Sequence, residues 1–189
     1  SFRTLLMIDG VKALDPSATQ VTPSFDSLLA TSDLQRVEVL RGPQGFMYGA
    51  DAGGVVNVIT KRGADELGGQ VALEYGDYGT RRVDAALSGG SDKGDYFVSA
   101  VDLATDGFNA QTADTVLRDD DGADNTTLHA KLGWNVTENL RLQLVARDID
   151  AEAQFDGCFG PPPFFALSND CVASPEQQTY KLSADHATD

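Results

Sequence analysis

The sequence predicts an α+β segment over about the first third of the chain, followed by long antiparallel β-strands, and three observations carry that reading. Between Arg36 and Gly63 the run RVEVLRGPQGFMYGADAGGVVNVITKRG places β-branched stretches on either side of a glycine-rich turn. After Gly63 the chain changes to strands of roughly eight to twelve residues that alternate oily and polar side chains between Gly, Asp and Asn turns. No run of about 18 apolar residues occurs, so no helix is expected to cross a membrane, whereas a transmembrane barrel needs no such run.

From Ser1 to Gly63 the elements follow in order. A strand is expected over Thr4 to Asp9, then a loop carrying Pro16 and Pro23, then a short helix over Phe25 to Ala30. Ser24 is placed to cap that helix, whose Phe25, Leu28 and Leu29 would face a core. Val37 and Val39 mark the next strand, and Val55, Val56, Val58 and Ile59 the one after. Between them Gly42-Pro43 and the glycines at 45, 49, 53 and 54 permit positive backbone dihedrals and close backbone approach.

The ordered pair of an E-V-L-R-G-P strand end and Y-G-x-x-x-x-G-G-V-V-N-V-I-T-K resembles the end of the plug domain in TonB-dependent receptors of the Gram-negative outer membrane. Leu6-Met7-Ile8-Asp9-Gly10-Val11 resembles the earlier hydrophobic-D-G-V plug strand of the same family. The resemblance implies a plug portion over residues 1–65 and the first barrel strands over 66–189, with the boundary near Gly63 to Gly68. It implies a fragment of a plugged barrel of about 22 strands. An energy-coupling box and the first half of the plug would precede Ser1, and most of the barrel would follow Asp189. The implied partners are a TonB-type energy-coupling protein, outer-membrane lipid and a ferric siderophore or cobalamin ligand. The implied activity is transport rather than catalysis. A surface adhesin or docking barrel without energy coupling is the alternative.

Periodicity supports the barrel segment. Val71, Leu73 and Tyr75 alternate with Gln70, Ala72 and Glu74, and Val83, Ala85 and Leu87 with Arg82, Asp84 and Ala86. Leu128, Ala130, Leu132, Trp134 and Val136 share one face, with Thr127, His129, Lys131, Gly133 and Asn135 on the other. Leu140 to Ala146 alternate with Arg141 to Arg147, and Tyr180, Leu182 and Ala184 with Lys181, Ser183 and Asp185. The stretch from Asp95 to Thr105 carries apolar residues on both faces and cannot be oriented from its pattern. A soluble sandwich with one wet face would share this alternation. Short connections near 76–79, 88–94 and 136–139 against long ones near 106–124 and 150–177 favour the barrel, with the turns near 90 and 137 facing the periplasm.

Charge excludes some functions. Twenty-nine acidic against fourteen basic residues give a net charge of -15, which repels nucleic-acid phosphates although Gly42-Pro43-Gln44-Gly45 satisfies a GxxG pattern. A phosphate-binding P-loop would need Lys and Ser or Thr after its last glycine, where Val55-Val56 stand. No Ser, His and Asp set stands at a recognisable spacing, and His129 and His186 fall on different strands and faces.

The remaining candidates lie in the plug motif and the two long connections. In the family the arginine of the Arg-Gly-Pro element is implicated in a charged plug-to-barrel lock, so the resemblance assigns the motif residues Glu38, Arg41, Gly42, Pro43, Tyr48, Gly49, Gly53, Gly54 and Asn57. A local strand-end ion pair is the competing reading for Arg41 and Glu38. Lys61 and Arg62 fall at the plug-to-barrel hinge, where the resemblance assigns no chemistry. Asp119, Asp120, Asp121 and Asp124 are dense enough to ligate calcium, yet EF-hand spacing is absent and a solvated acidic loop explains them as well. Cys158 and Cys171 are the only cysteines, and in an oxidising periplasm or at the cell surface a disulfide is expected, worth about 3 kcal/mol in the chain-entropy model. Phe155, Phe159, Phe164 and Phe165 either contact ligand or pack the loop on itself.

Overall fold

The computed structural model describes residues 4–13, 33–41, 54–109, 120–159, 167–168 and 170–187. The expected helix over Phe25 to Ala30 and most of the glycine-rich turn lie outside them. The described residues form a small mixed sheet and a large antiparallel wall.

The small sheet contains β1 (Thr4–Ile8), β2 (Val11–Lys12), β3 (Leu34–Arg41) and β4 (Gly54–Thr60), in the order β2-β1-β4-β3. β1 runs parallel to β4 from Thr4↔Gly54 to Ile8↔Val58, and β3 runs antiparallel to it. A strand paired on both edges and covered on both faces is expected to be apolar throughout, and Leu5, Leu6, Met7 and Ile8 are all buried. Leu5, Met7 and Val55 pack on one face beside Leu40; Leu6, Ile8, Val58 and Ala13 pack on the other.

The wall is built from β5 (Gly68–Tyr75), β6 (Arg81–Ser91), β7 (Gly94–Phe108), β8 (Asp121–Asn135), β9 (Leu140–Phe155) and β13 (Glu176–His186), each antiparallel to the next. Between β9 and β13 the short strands β10 (Cys158–Phe159) and β11 (Leu167–Ser168) pair with each other, and β12 (Cys171–Ala173) pairs with the end of β9. Residues 92–93 and 136–139 form the short turns at one end, where Val136 N–H donates to the Leu140 carbonyl at 2.9 Å. The long connections share the opposite end with the turn at 76–80.

The wall has an oily outside and a polar inside. On β8 Leu128 is 52% exposed while its neighbours Thr127 and His129 are 1% and 3% exposed. Leu132, Trp134, Leu144, Tyr180 and Leu182 share the exposed face with Leu128; Lys131, Gln143 and Arg147 share the buried one. A soluble sandwich would bury its oily face, so this arrangement is that of a barrel wall looking out on lipid. β7, which the pattern could not orient, turns Phe97, Ser99 and Val101 inward, and covering them on the lumen side is what blurs its alternation.

The strands are longer than the alternation predicted. β7, β8 and β9 have 15, 15 and 16 residues, near 50 Å each, where a tilted membrane strand needs about 9–11 residues. The connections expected at 106–124 and 150–177 therefore shrink: β8 begins at Asp121, β9 continues to Phe155 and β13 starts at Glu176. Ladder pairing carries these ends beyond the oily band, where Asp102, Asp124, Asp150 and Glu152 occupy the outer face. Hydrophobic alternation loses its cause there, so it could not mark the strand ends.

The outward face supports a direct check. Leu144→Arg in the full-length protein is expected to lower unfolding stability in lipid vesicles by about 2–4 kcal/mol. A loss below about 0.5 kcal/mol, typical of an exposed soluble surface, would contradict the lipid-facing assignment.

Candidate functional site: the seam between small sheet and wall

The small sheet lies against the polar face of the wall. Ile149 of β9 joins Leu6, Ile8, Ala13 and Val58 in one buried cluster, and buried ion pairs also join the two sheets.

At its centre the Asp9-Gly10 turn between β1 and β2 reaches into the wall. Asp9 adopts φ 49°, a left-handed conformation that Asp tolerates better than most residues because its short polar side chain can bond locally. Its N–H donates to the Val58 carbonyl at 2.8 Å, and its carboxylate accepts from the Thr60 N–H at 3.2 Å and the Thr60 hydroxyl at 2.5 Å. Lys131 Nζ donates to Asp9 Oδ1 at 2.7 Å and to the Thr60 carbonyl and hydroxyl oxygens at 3.2 Å each. An ammonium has three donors, so all of them are used. Lys181 of β13 donates to the Asp9 carbonyl at 2.7 Å. Two wall lysines thus hold one turn, by side chain and by backbone.

A second pair lies beside the first. Asp33, immediately before β3, accepts from Arg147 of β9, and both side chains are buried. The Asp33 carbonyl accepts from the Lys61 N–H at 2.8 Å, tying the start of β3 to the end of β4. His129, directly opposite Arg147 in the β8–β9 register, is buried between the pairs with its ring 6.1 Å from that of Phe97.

Burial alone would raise the Asp9 carboxyl. The Lys131 hydrogen bond, the Thr60 bonds and the ammonium charge outweigh it and hold the group below its ordinary 3.8. For Asp33 burial is the larger influence and pushes the carboxyl above its ordinary value, against the pull of Arg147. Chemically the seam is a docking device, in which carboxylates of one sheet meet fixed cations of the other.

Most of the motif residues lie elsewhere. Glu38 accepts from Arg36 Nε at 2.8 Å and from Asn57 Nδ2 at 3.2 Å, a local cross-strand arrangement on the small sheet, and the Arg36 bond holds its carboxyl low. Arg41 ends β3, exposed and opposite Gly54. Gly42, Pro43, Tyr48, Gly49 and Gly53 lie outside the described residues, as do Phe164, Phe165 and Asp119. Phe155 ends β9 partly exposed, and Phe159 lies on β10. Cys158 and Cys171 form a disulfide with Cα atoms 6.1 Å apart. Asp121 and Asp124 stand on β8, Asp120 just before it, and among the described residues no three acidic, His or Cys side chains gather as a metal site. His129 points into the seam while His186 ends β13.

Sequence reasoning placed Asp9 in a plug strand and His129, Lys131, Arg147 and Lys181 on the polar face, without joining them. The Asp9–Lys131 contact spans 122 residues and the Asp33–Arg147 contact 114, distances over which a single sequence holds no pairing signal.

A small mixed sheet seated by buried ion pairs on the lumen face of an outward-oily β-wall defines a plugged barrel. The TonB-dependent Receptor Plug Domain family matches residues 1–56. Over 160 residues the chain is 31% identical to the vitamin B12 transporter BtuB of Photobacterium profundum, an alignment covering 84% of this chain and 26% of that protein. It is 28% identical to the iron-regulated outer membrane virulence protein of Vibrio cholerae, covering 83% of this chain and 26% of that protein. The siderophore receptor PirA of Acinetobacter baumannii shares the fold with a TM-score of 0.75 at 20% identity, over 97% of this chain and 30% of that one. The chain thus spans about a quarter of the length of the curated relatives it matches. Residues 1–56 thus carry the plug domain of TonB-dependent receptors, and the chain as a whole shares the fold of a solved siderophore receptor.

Two outcomes follow from the seam. Lys131→Met in the full-length receptor strands the buried Asp9 carboxylate and is expected to lower stability to urea by about 3–5 kcal/mol, with Asp9→Asn/Lys131→Met recovering part of the loss. Asp9, with a lowered folded-state pKa, contributes stability present above its unfolded value of 3.8 and lost as pH falls through the folded value. Asp33, with a raised one, contributes in the opposite sense. The difference in unfolding free energy between wild type and Asp9→Asn isolates the first group. It is expected to be constant above about pH 5 and to shrink below 3.8; a difference that grows on acidification would contradict the assignment.

Proposed function

We propose that this chain supplies the plug-to-barrel junction of an energy-coupled importer that carries a ferric siderophore or cobalamin across the outer membrane. The observation that carries the reading is the seat of the plug turn at Asp9 on Lys131 and Lys181 of the lumen wall. A plug held by a few buried polar pairs around a small apolar cluster is anchored firmly at rest, yet it contains bonds that water can replace once the seam opens. That suits a barrel that must stay closed until cargo is bound.

The cargo class rests on the relatives, one named as a vitamin B12 transporter and another as a siderophore receptor. A TonB-type energy-coupling protein is the partner that the family name implies. In this reading the plug closes the lumen, outer loops and plug apices capture cargo, and force applied to the plug opens the seam.

Deleting the full-length gene from the source strain is expected to abolish growth on either a defined ferric siderophore as sole iron source or on limiting cobalamin, with rescue by the wild-type gene. Normal growth on every ferric siderophore and on cobalamin would count against import and favour a docking barrel.

A further inference from the structure

We infer that the cavity where the plug-to-wall linker crosses the lumen face is a binding site for a small oxyanion, a phosphate or carboxylate group. The cavity measures about 420 Å³ and is lined by Gln35, Lys61, Arg62, Gln70, Ser88 and Phe97 with the glycine backbone beside them. That volume falls among those of small-molecule sites, about 300–1,000 Å³.

Its lining is the reverse of the chain. Acidic residues outnumber basic ones by 29 to 14 in the sequence, yet two adjacent cations and no carboxylate line this cavity. Neither Lys61 nor Arg62 forms an ion pair among the described residues. Asp65 and Glu66 follow on the same linker and remain outside the lining. Lys61, Arg62, Gln35, Gln70 and Ser88 bring an ammonium, a guanidinium, two amides and a hydroxyl to the lining, a donor set that matches the several acceptor oxygens of a phosphate or carboxylate. The net charge of -15 opposes an anion at long range. At physiological salt, charges beyond the Debye length of about 8 Å are largely screened, and the cavity's own cations dominate.

The backbone that carries the two cations is also held in place. A Cβ on Gly63 would come within 2.6 Å of backbone atoms of Gly89 and Tyr96, and one on Gly90 would stand 2.8 Å from the Ala64 carbonyl oxygen. The linker therefore rides directly on the β6–β7 backbone, at a separation only glycine permits. Its other end is fixed by the Lys61 N–H bond to Asp33. A bound oxyanion would bridge this linker to Gln70 of β5 and Ser88 of β6, joining the end of the plug to the first strands of the wall.

The test is isothermal titration of inorganic phosphate into the full-length receptor in detergent, in phosphate-free buffer at neutral pH and physiological sodium chloride. Wild type is expected to bind saturably. Lys61→Gln/Arg62→Gln is expected to weaken binding at least tenfold, with thermal stability in the absence of phosphate unchanged. Gln70→Leu, which alters the wall side and leaves the linker cations intact, is expected to weaken it as well, so the outcome does not depend on one variant folding. No saturable binding by wild type, or unchanged affinity in either variant, would overturn the proposal.

Discussion

Lys131 imposes the constraint on which the rest of the structure depends. A buried ammonium is tolerated only when charge and hydrogen bonds are both matched, and the match is supplied by Asp9 and Thr60, which belong to the other sheet. Plug and wall are therefore specified together. If β8 slipped by one residue against its neighbours, Lys131 would turn to lipid and Leu132 to the seam, each at high cost. One ion pair thereby couples the strand register to the position of the plug.

The same strands solve two solvation problems at once. Their outer face carries Leu128, Leu132, Trp134 and Leu144 for a hydrocarbon environment, and their inner face changes character along its length. Where the plug rests, Val145 and Ile149 stand inward among Gln143 and Arg147, so the polar face of β9 becomes a packed contact. The inner face also carries local pairs such as Arg82 with Asp84, at 2.7 and 2.9 Å. The apolar cluster supplies adhesion and the ion pairs supply position. An oily seam of the same area could seat the plug in many registers; carboxylates facing fixed cations restrict it to few.

Much of this was legible in the sequence, and the gaps have physical causes. The plug strands, the alternation of β8 and the sharp turn at 136–139 were plain because each arises from neighbours in sequence. Val145 was grouped with Arg141, Gln143 and Arg147 on the polar face, correctly in phase, but nothing nearby in sequence shows that the plug buries it. β7 resisted orientation because Phe97 and Val101 are covered on the lumen side while Tyr96 and Val98 stand on the other, so both faces had cause to be apolar. The wall strands outrun their oily band because ladder bonds, unlike lipid contact, make no demand on side-chain polarity. The pairing of Asp9 with Lys131 and of Asp33 with Arg147 is a tertiary fact, and composition recorded only the excess of acids from which two are used.

The measurement that tests the seating of the plug most directly is oxidative crosslinking in outer membranes, with Cys158 and Cys171 replaced by Ser and one cysteine placed on each side of the seam. Ile8→Cys with Ile149→Cys is expected to form a disulfide-linked product, since these side chains share one buried cluster. Ile8→Cys with Asp148→Cys is expected to form none, because the neighbouring position faces outward. Crosslinking through position 148 in preference to 149 would show the wall turned the other way, and the charged seam described above would not exist.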